Sequence, residues 1–172
     1  EDLETLVRHA DIAMYRAKEL GRNAYALFEP SMAAGTENRF RLEHDLRGAI
    51  ERNQLLLNYQ PQIHFPDGRL SGVEALCRWQ HPELGSIPPS RFIPLAEDIG
   101  LIDQLGIWVL EESCRQLARW DRQGFRVPRL AVNLSVHQLE GQGVVERVRK
   151  ALADSEVLAE RLELEVTESC IM

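Results

Sequence analysis

The sequence predicts an α/β fold built around a mostly parallel sheet. Short apolar segments of strand length, such as Leu130–Leu134 and Leu162–Val166, alternate with longer segments of helical periodicity. The first two predicted strands are separated by little more than the turn Pro66–Asp67–Gly68, so we expect them to be antiparallel neighbours. The strand–helix–strand alternation that follows predicts parallel pairing through right-handed crossovers.

Residues 1–31 predict one helix and one short strand. The helical periodicity ends at Gly21, a typical helix stop, and Ala24–Phe28 is predicted to be the strand. One helix and one strand bury little surface by themselves, so we interpret this segment as the remnant of a preceding domain. Residues 32–38 are predicted to be a linker because of their Gly, Thr and Asn content.

From residue 39 onward, the predicted elements follow one another without long gaps. In chain order they are a helix containing Leu42, Leu46 and Ile50, the strand Leu55–Ile63, the strand Leu70–Trp79, a short helix near Ser90–Glu97, a long helix over Leu101–Gln123, the strand Leu130–Leu134, a helix carrying Val144 to Leu152, and the strand Leu162–Val166. A Pro-rich loop precedes the short helix, and Gly124 ends the long one.

Composition limits the class of protein. The chain of 172 residues is 44% hydrophobic and 27% charged, as in globular domains, and no apolar run reaches the roughly 18–20 residues of a membrane span. Cys77, Cys114 and Cys170 have no metal-finger spacing, and we expect them to be reduced thiols in a cytoplasmic protein.

The net charge also bears on the binding partners. A formal charge of −7 argues against a surface for duplex nucleic acid, which needs clustered Lys and Arg. A small nucleotide remains compatible with this charge, because a bound divalent cation screens its phosphates locally.

Oxygen-bearing side chains occur at or near the ends of several predicted strands. Glu163 and Glu165 share one face of the last strand, and Glu74 and Asn133 occur in two earlier strands. Strands of a helix-covered parallel sheet are usually apolar throughout, and an unpaired buried carboxylate is costly. At the carboxyl ends of barrel strands such residues are typically catalytic. The pattern therefore predicts a divalent-metal site.

Each of these residues also has an ordinary structural explanation. The Asn133 side chain could cap a turn, and Glu168 could be a carboxylate at a helix start. His81 is expected to be a hydrogen-bonding residue of its loop rather than a metal ligand. The tryptophans Trp79, Trp108 and Trp120 are expected to pack in the core or against helices. The joint pattern, rather than any single residue, supports a site.

The order of several longer motifs resembles a known family. These motifs are Tyr59–Gln60–Pro61–Gln62–Ile63, Glu74–Ala75–Leu76 with Arg78–Trp79, His81–Pro82 with Gly85, Phe92–Ile93–Pro94–Leu95–Ala96–Glu97, Asn133–Leu134–Ser135 and Glu165–Val166–Thr167–Glu168–Ser169. In their order and spacing, residues 39–172 resemble the N-terminal half of an EAL domain, a bacterial phosphodiesterase that hydrolyses cyclic di-GMP. Ala10–Lys18 and Gly21–Asn23 resemble the C-terminal end of a GGDEF diguanylate cyclase domain.

The resemblance implies a fold, a site and a reaction. The fold would be the first half of a (β/α)8 TIM-type barrel with an antiparallel first strand, incomplete at the C-terminus. Glu74, Asn133 and Glu165 would bind Mg²⁺ or Mn²⁺, hard cations that prefer oxygen ligands. Gln60 and Arg78 would contact the substrate. The implied reaction is two-metal hydrolysis of cyclic di-GMP to linear pGpG in bacterial second-messenger signalling.

Further residues of the family pattern bear on whether the chain works alone. Glu168 would order a loop beside the site, whereas the family's Asp pair, Lys and additional Glu would lie beyond Met172. We therefore expect a fragment of a longer tandem protein, inactive by itself, whose last strand is an open edge unless two copies close into a homodimer. The alternatives are a module that binds cyclic di-GMP without cleaving it and an inactive interaction fragment.

Overall fold

A computed structural model describes residues 2–19, 24–140 and 143–166 of the chain. The chain divides into two compact units, Glu1–Asp45 and Leu46–Met172. Within the described residues, no helix combines the length and the apolar character that crossing a membrane requires.

The first unit is helical. Helix α1 spans Leu3–Glu19, helix α2 spans Pro30–Arg47 and continues into the second unit, and the His9 and Phe28 rings stack with centroids 3.7 Å apart. The predicted strand Ala24–Phe28 is wrong, because residues 24–29 have no regular secondary structure. A strand needs a neighbour for its backbone hydrogen bonds, and the described part of this unit contains no other strand.

The segment 32–38, which we predicted to be a linker, lies inside α2. Pro30 suits the first helical position, since its missing N–H would have no partner there. Met32–Ala34 has good helix propensity, and a single Gly35 costs only about 1 kcal/mol relative to Ala in a helix. The interpretation of residues 1–31 as the remnant of a separate domain remains a prediction.

The second unit begins with the predicted hairpin. Strand β1, Leu55–Ile63, pairs antiparallel with strand β2, Leu70–His81, in a register that opposes Leu55 to Trp79 and Gln60 to Glu74. Gly68 has a φ of 69°, a left-handed conformation that glycine adopts without the steric cost of a side chain. The short connection therefore gives the antiparallel pairing that the sequence predicted.

A short strand that we did not predict extends the hairpin. Strand β3, Gly85–Ile87, pairs antiparallel with the end of β2. The ring nitrogen Nδ1 of His81 accepts hydrogen bonds from the backbone N–H groups of Glu83 (3.2 Å) and Leu84 (3.1 Å). This buried ring thus closes the turn between β2 and β3, so the prediction that His81 is a hydrogen-bonding loop residue is confirmed.

The remaining elements add two parallel strands, with helices between them. They are α3 (Pro89–Asp98), α4 (Ile102–Arg122), β4 (Leu130–Leu134), α5 (Val136–Glu140), α6 (Val144–Ser155), a 3₁₀ turn (Ala159–Arg161) and β5 (Leu162–Val166). Strand β4 lies parallel to β2, and β5 lies parallel to β4, which gives the order β1-β2-β4-β5. The predicted α/β fold with an antiparallel first strand is confirmed as a mixed sheet. The short α5 was not predicted.

The core lies between the sheet and its helices. Trp79, Phe92, Leu117 and Val132 are fully buried, and the Trp79 and Phe92 rings meet edge to face at 6.0 Å. A second cluster of Leu110, Cys114 and Ala151 joins α4 to α6. Burial of side chains of this size contributes about 1.5–3 kcal/mol each to the stability of the fold. This packing holds the strands that carry the polar residues in place.

One ion pair joins the start of β5 to the end of α4. Both terminal nitrogens of Arg161 donate to the Asp121 carboxylate, at 2.5 and 3.0 Å, and Nη2 also donates to the Val127 carbonyl at 2.7 Å. The hydrogen bond from Arg161 lowers the pKa of Asp121. This bidentate contact fixes where β5 enters the sheet.

Candidate functional site

The sheet brings the three predicted metal ligands to one face. In the register of the parallel strands, Glu74 lies beside Ala131 and Asn133 lies beside Glu165. Side chains two positions apart on a strand share a face. Asn133 therefore lies on the same face as Ala131, the neighbour of Glu74, and two residues closer to the carboxyl end of β4. The three side chains come from β2, β4 and β5 and converge where these strands run in the same direction.

The Asn133 side chain spans β2 and β4. Its Nδ2 donates a hydrogen bond of 2.7 Å to Oε1 of Glu74, and the pair is part-buried. An amide that donates through its nitrogen keeps its carbonyl oxygen for another partner. The contact therefore restrains the Glu74 carboxylate and the Asn133 amide relative to each other.

Glu165 completes this group from β5. Burial raises its pKa above the ordinary value of a glutamate, and the nearby charges of Glu74 and Glu163 raise it further. A hydrogen bond with the Gln62 side chain and the charge of Arg129 act in the opposite direction. The strand register places both carboxylates on the same face of the sheet, and a cation between them would relieve their repulsion.

A layer of polar residues lies next to these three. Arg129 Nε and Glu163 Oε2 form an ion pair of 2.8 Å between the start of β4 and β5. Gly72 allows this layer to form, because a methyl group there would lie 2.9 Å from the Arg129 carbonyl oxygen and 3.1 Å from Gln62 Oε1. The ion pair partly neutralises Glu163, so Glu74 and Glu165 are the less compensated carboxylates of the group.

The two predicted substrate residues lie on the hairpin. Gln60 on β1 is directly opposite Glu74 in the antiparallel register, so it lies next to the metal-ligand candidates. Arg78 is further along β2, on the Glu74 face, and its Nη1 donates to the adjacent Cys77 carbonyl at 2.9 Å. Glu168, predicted to order a loop, lies outside the described residues. All these roles remain predictions.

The donor set fits a hard divalent cation with further ligands. Within residues 2–19, 24–140 and 143–166, no group of three or more His, Cys, Asp or Glu side chains is placed to hold a metal. Glu74, Glu165 and Asn133 instead offer two carboxylates and one amide, all oxygen donors. Mg²⁺ and Mn²⁺ prefer oxygen ligands, and Mg²⁺ commonly binds through only one or two carboxylates plus substrate phosphates.

The described cysteines do not take part in this chemistry. Burial raises the pKa of Cys77 to about 12 and that of Cys114 to about 11, and both thiols are free. A thiol with so high a pKa is almost entirely protonated at neutral pH and is a poor nucleophile. The candidate site is therefore a carboxylate site.

Sequence reasoning missed two features next to the site. It noted only that Glu163 lies on the same strand face as Glu165. The ion pair with Arg129 was not predicted, because the register between two strands cannot be read from either segment alone. It also passed over Gln138, whose Oε1 accepts from the Ser135 N–H at 3.0 Å. A Ser followed three positions later by Gln is the capping-box pattern, and that signal could have identified the contact.

Comparison with known proteins shows the family. The EAL domain profile matches residues 43–172, and the chain therefore belongs to the EAL domain family. It is 50% identical over 167 residues to the bifunctional diguanylate cyclase/cyclic di-GMP phosphodiesterase MucR of Pseudomonas aeruginosa, covering 97% of this chain and 24% of that protein. It is 41% identical to the cyclic di-GMP phosphodiesterase PdeR of Escherichia coli, over 99% of this chain and 26% of that protein.

Solved structures agree with this assignment. The MucR phosphodiesterase in complex with c-di-GMP is 51% identical with a TM-score of 0.72, over 77% of this chain and 53% of that one. The FimX EAL domain of Xanthomonas citri in complex with c-di-GMP is 27% identical with a TM-score of 0.69, over 81% of this chain and 53% of that one. The chain thus spans about a quarter of these curated relatives and about half of these structures.

Proposed function

We propose that the chain is part of a metal-dependent phosphodiesterase that hydrolyses cyclic di-GMP to linear pGpG in bacterial second-messenger signalling. The observation that carries this proposal is the contact between Asn133 and Glu74, with Glu165 as the next neighbour, in a chain of the EAL domain family. Named phosphodiesterases among the relatives, at 50% and 41% identity, support the substrate.

The described residues would bind the cation and orient the substrate. Glu74, Glu165 and the carbonyl oxygen of Asn133 would hold Mg²⁺ or Mn²⁺, while the Asn133 N–H group keeps the Glu74 carboxylate in place. The cation supplies Lewis acidity toward the phosphodiester and its attacking water. Water adds across one P–O bond, so one phosphodiester of the ring opens and the other remains in pGpG.

Gln60 and Arg78 would position the nucleotide. Gln60 lies next to Glu74 and offers both a donor and an acceptor to a guanine edge or a ribose. The Arg78 guanidinium would exchange its bond to the Cys77 carbonyl for the phosphate, a partner of full negative charge that its planar fork matches. Glu168 would order the loop that follows β5.

The broader context is also part of the proposal. The described strands would form the first half of a (β/α)8 TIM-type barrel, so this chain would hold only part of the catalytic machinery and be inactive alone. Residues 1–31 would be the end of a GGDEF domain, which the bifunctional name of the 50% identical relative supports. The free thiols of Cys77 and Cys114 support a cytoplasmic location.

Binding and hydrolysis assays on the purified chain test the proposal. We expect Mn²⁺-dependent binding of cyclic di-GMP that falls at least tenfold in Glu74→Gln and is unchanged in Glu51→Gln, an exposed matched control. Formation of pGpG that is lost in Glu74→Gln would also support the phosphodiesterase, and would refute the inactivity of this chain alone. A folded chain that binds neither Mn²⁺ nor cyclic di-GMP would contradict the proposal, and tight binding that is independent of metal would favour a non-catalytic binding module.

A further inference from the structure

A glycine occupies an interior position of α4, where it is intrinsically unfavourable. Gly106 is the fifth residue of this helix, and Gly in a helix interior is less stable than Ala. The space around it explains its presence. A methyl group built on Gly106 would overlap Nε2 of Gln138, and it would lie 2.7 Å from Cδ and 3.0 Å from Oε1 of the same side chain. The carboxamide of Gln138 therefore packs directly against the α4 backbone at Gly106.

Packed against Gly106, Gln138 stabilises the turn that follows β4. It is only 7% exposed, and its Oε1 accepts a hydrogen bond of 3.0 Å from the Ser135 N–H. The Ser135 carbonyl in turn accepts the backbone N–H of Gln138 at 3.1 Å. Ser135 is thus held through both of its backbone groups, at the residue immediately after β4.

The side chain of Ser135 takes no part in this arrangement. In a complete capping box the serine hydroxyl would accept the backbone N–H of the third residue along. Here that N–H bonds to the Ser135 carbonyl instead, and Ser135 Oγ is buried with no hydrogen-bond partner in the part of the chain that is described. The geometry of the turn therefore depends on the Gln138 carboxamide and not on the serine hydroxyl.

The turn lies two residues from the candidate site. Asn133 lies two positions before Ser135, near the end of β4, and donates a hydrogen bond of 2.7 Å to Glu74. We propose that Gln138, seated on Gly106, is a positioning residue that aims the Asn133 amide at Glu74. Its importance for metal binding rests on the proposed function, whereas its effect on Asn133 does not.

The contact between Gly106 and Gln138 can be tested by thermal unfolding of the purified chain. In a Gln138→Ala background, Gly106→Ala should raise the Tm by about 2–4 °C, because alanine is the better helix former and the Gln138 carboxamide no longer meets its methyl group. In the wild-type background the same substitution should give no such rise, since the methyl group displaces the carboxamide. Equal increases in both backgrounds would overturn the contact. Gln104→Ala, at an exposed position of α4, is the matched control and should behave alike in both.

The positioning role is tested by a measurement on the Asn133 side chain itself. The side-chain amide signal of Asn133 in a ¹H–¹⁵N correlation spectrum should shift in Gln138→Ala, in the isosteric Gln138→Met and in Gly106→Ala, but not in Ser135→Ala. An unshifted signal in the two Gln138 variants would overturn the proposal, because a side chain that merely stabilised α5 would leave Asn133 in place.

Binding of Mn²⁺ separates this inference from the proposed function. We expect a loss of affinity of about tenfold in Gln138→Met, the size usual for residues that orient a metal ligand. If the Asn133 signal shifts in the Gln138 variants while the wild-type chain binds no Mn²⁺, the positioning role would be supported and the metal site contradicted. Unchanged Mn²⁺ affinity in Gln138→Met, with wild-type binding intact, would overturn the positioning role alone.

Discussion

The Asn133 amide and the Glu74 carboxylate meet at 2.7 Å although they are 59 positions apart in the sequence. The hydrogen bond crosses from β4 to β2, and it restrains the amide group and the carboxylate relative to each other. A charge-assisted hydrogen bond of this kind is worth roughly 1.5–3 kcal/mol when part-buried. The pair therefore stabilises the sheet and restrains two residues of the proposed cation site.

Replacing the amide by a carboxylate should reverse the sign of this contact. In Asn133→Asp, a donor becomes a second negative charge beside Glu74, and we expect the free energy of unfolding to fall by about 1–3 kcal/mol without metal. Because an added carboxylate would strengthen the proposed cation site, Mn²⁺ in excess over the chain should recover much of this loss. Thermal melts with and without Mn²⁺ measure both effects. Asn58→Asp on the exposed part of β1 is the control, and equal losses in the two variants would contradict the prediction.

Glu165 predicts a pH dependence of stability with a definite sign. Its pKa is higher in the folded chain than the ordinary glutamate value of 4.5, so the folded state binds the proton more readily than the unfolded state. Its contribution to stability is fully present below 4.5 and is lost as the pH rises through the folded-state pKa. Glu165→Gln should therefore be relatively more stable at pH values above that range, by a small margin because solvent screens the site.

Urea titrations of wild type and Glu165→Gln across the pH range check this prediction. A stability difference that does not change with pH would refute it. Glu160→Gln, at an exposed position of the preceding 3₁₀ turn, serves as the control.

His81 should be important for stability despite lying outside the candidate site. His81→Ala leaves the Glu83 and Leu84 N–H groups without their shared acceptor and removes the edge contact with Trp79, so we expect a loss of about 2–4 kcal/mol. His64→Ala is the matched control, because His64 bonds Asp67 in an exposed turn and should cost under about 1 kcal/mol. Equal losses of the free energy of unfolding in His81→Ala and His64→Ala, measured by chemical denaturation, would contradict the role of the buried ring.

The Arg161 contact should depend on the guanidinium fork. Arg161→Lys keeps the charge but cannot reach both Asp121 oxygens and the Val127 carbonyl, so we expect it to lose about 1–2 kcal/mol at pH 7. The lowered pKa of Asp121 means that its contribution to the free energy of unfolding is present above the ordinary aspartate value of 3.8 and is lost as the pH falls through the folded-state pKa. The difference in the free energy of unfolding between wild type and Arg161→Lys should therefore become smaller in strong acid.

Denaturation of Arg149→Lys provides the comparison for that variant. Arg149 pairs with Glu146 at the surface of α6, and its substitution should change stability by less than about 0.5 kcal/mol at any pH. If Arg161→Lys behaved the same way, the contact would have no special role at the start of β5.

Local patterns were sufficient to predict most of the sheet. The strands Leu55–Ile63, Leu130–Leu134 and Leu162–Val166 have the predicted bounds, because each is a short apolar or alternating segment between turn residues. The three-residue strand Gly85–Ile87 is too short to show a period, and it forms because β2 offers it a partner. The predicted strand over 24–28 failed for the opposite reason, since strand propensity without a partner is not enough.

The candidate site could be predicted in part. Alternation placed Glu74 and Glu165 on polar faces, and the strand order then brought Asn133 between them, as expected for parallel neighbours. The contact of Gln138 with Gly106 depends on how closely two helices approach each other. No periodicity in the sequence contains that distance, so only the structure reveals it.

The arrangement of the sheet also has a consequence for the order of folding. The β1–β2 hairpin closes over a short turn, whereas β4 pairs with β2, and β5 with β4, only after long crossover segments have been ordered. Loop-closure entropy makes the hairpin the earlier event and the parallel pairings the later one. The Asn133–Glu74 bond forms with the later β2–β4 pairing, so a cation at the proposed site would bind the assembled strands and not the hairpin alone. Divalent metal should accordingly slow unfolding and leave the rate of refolding almost unchanged.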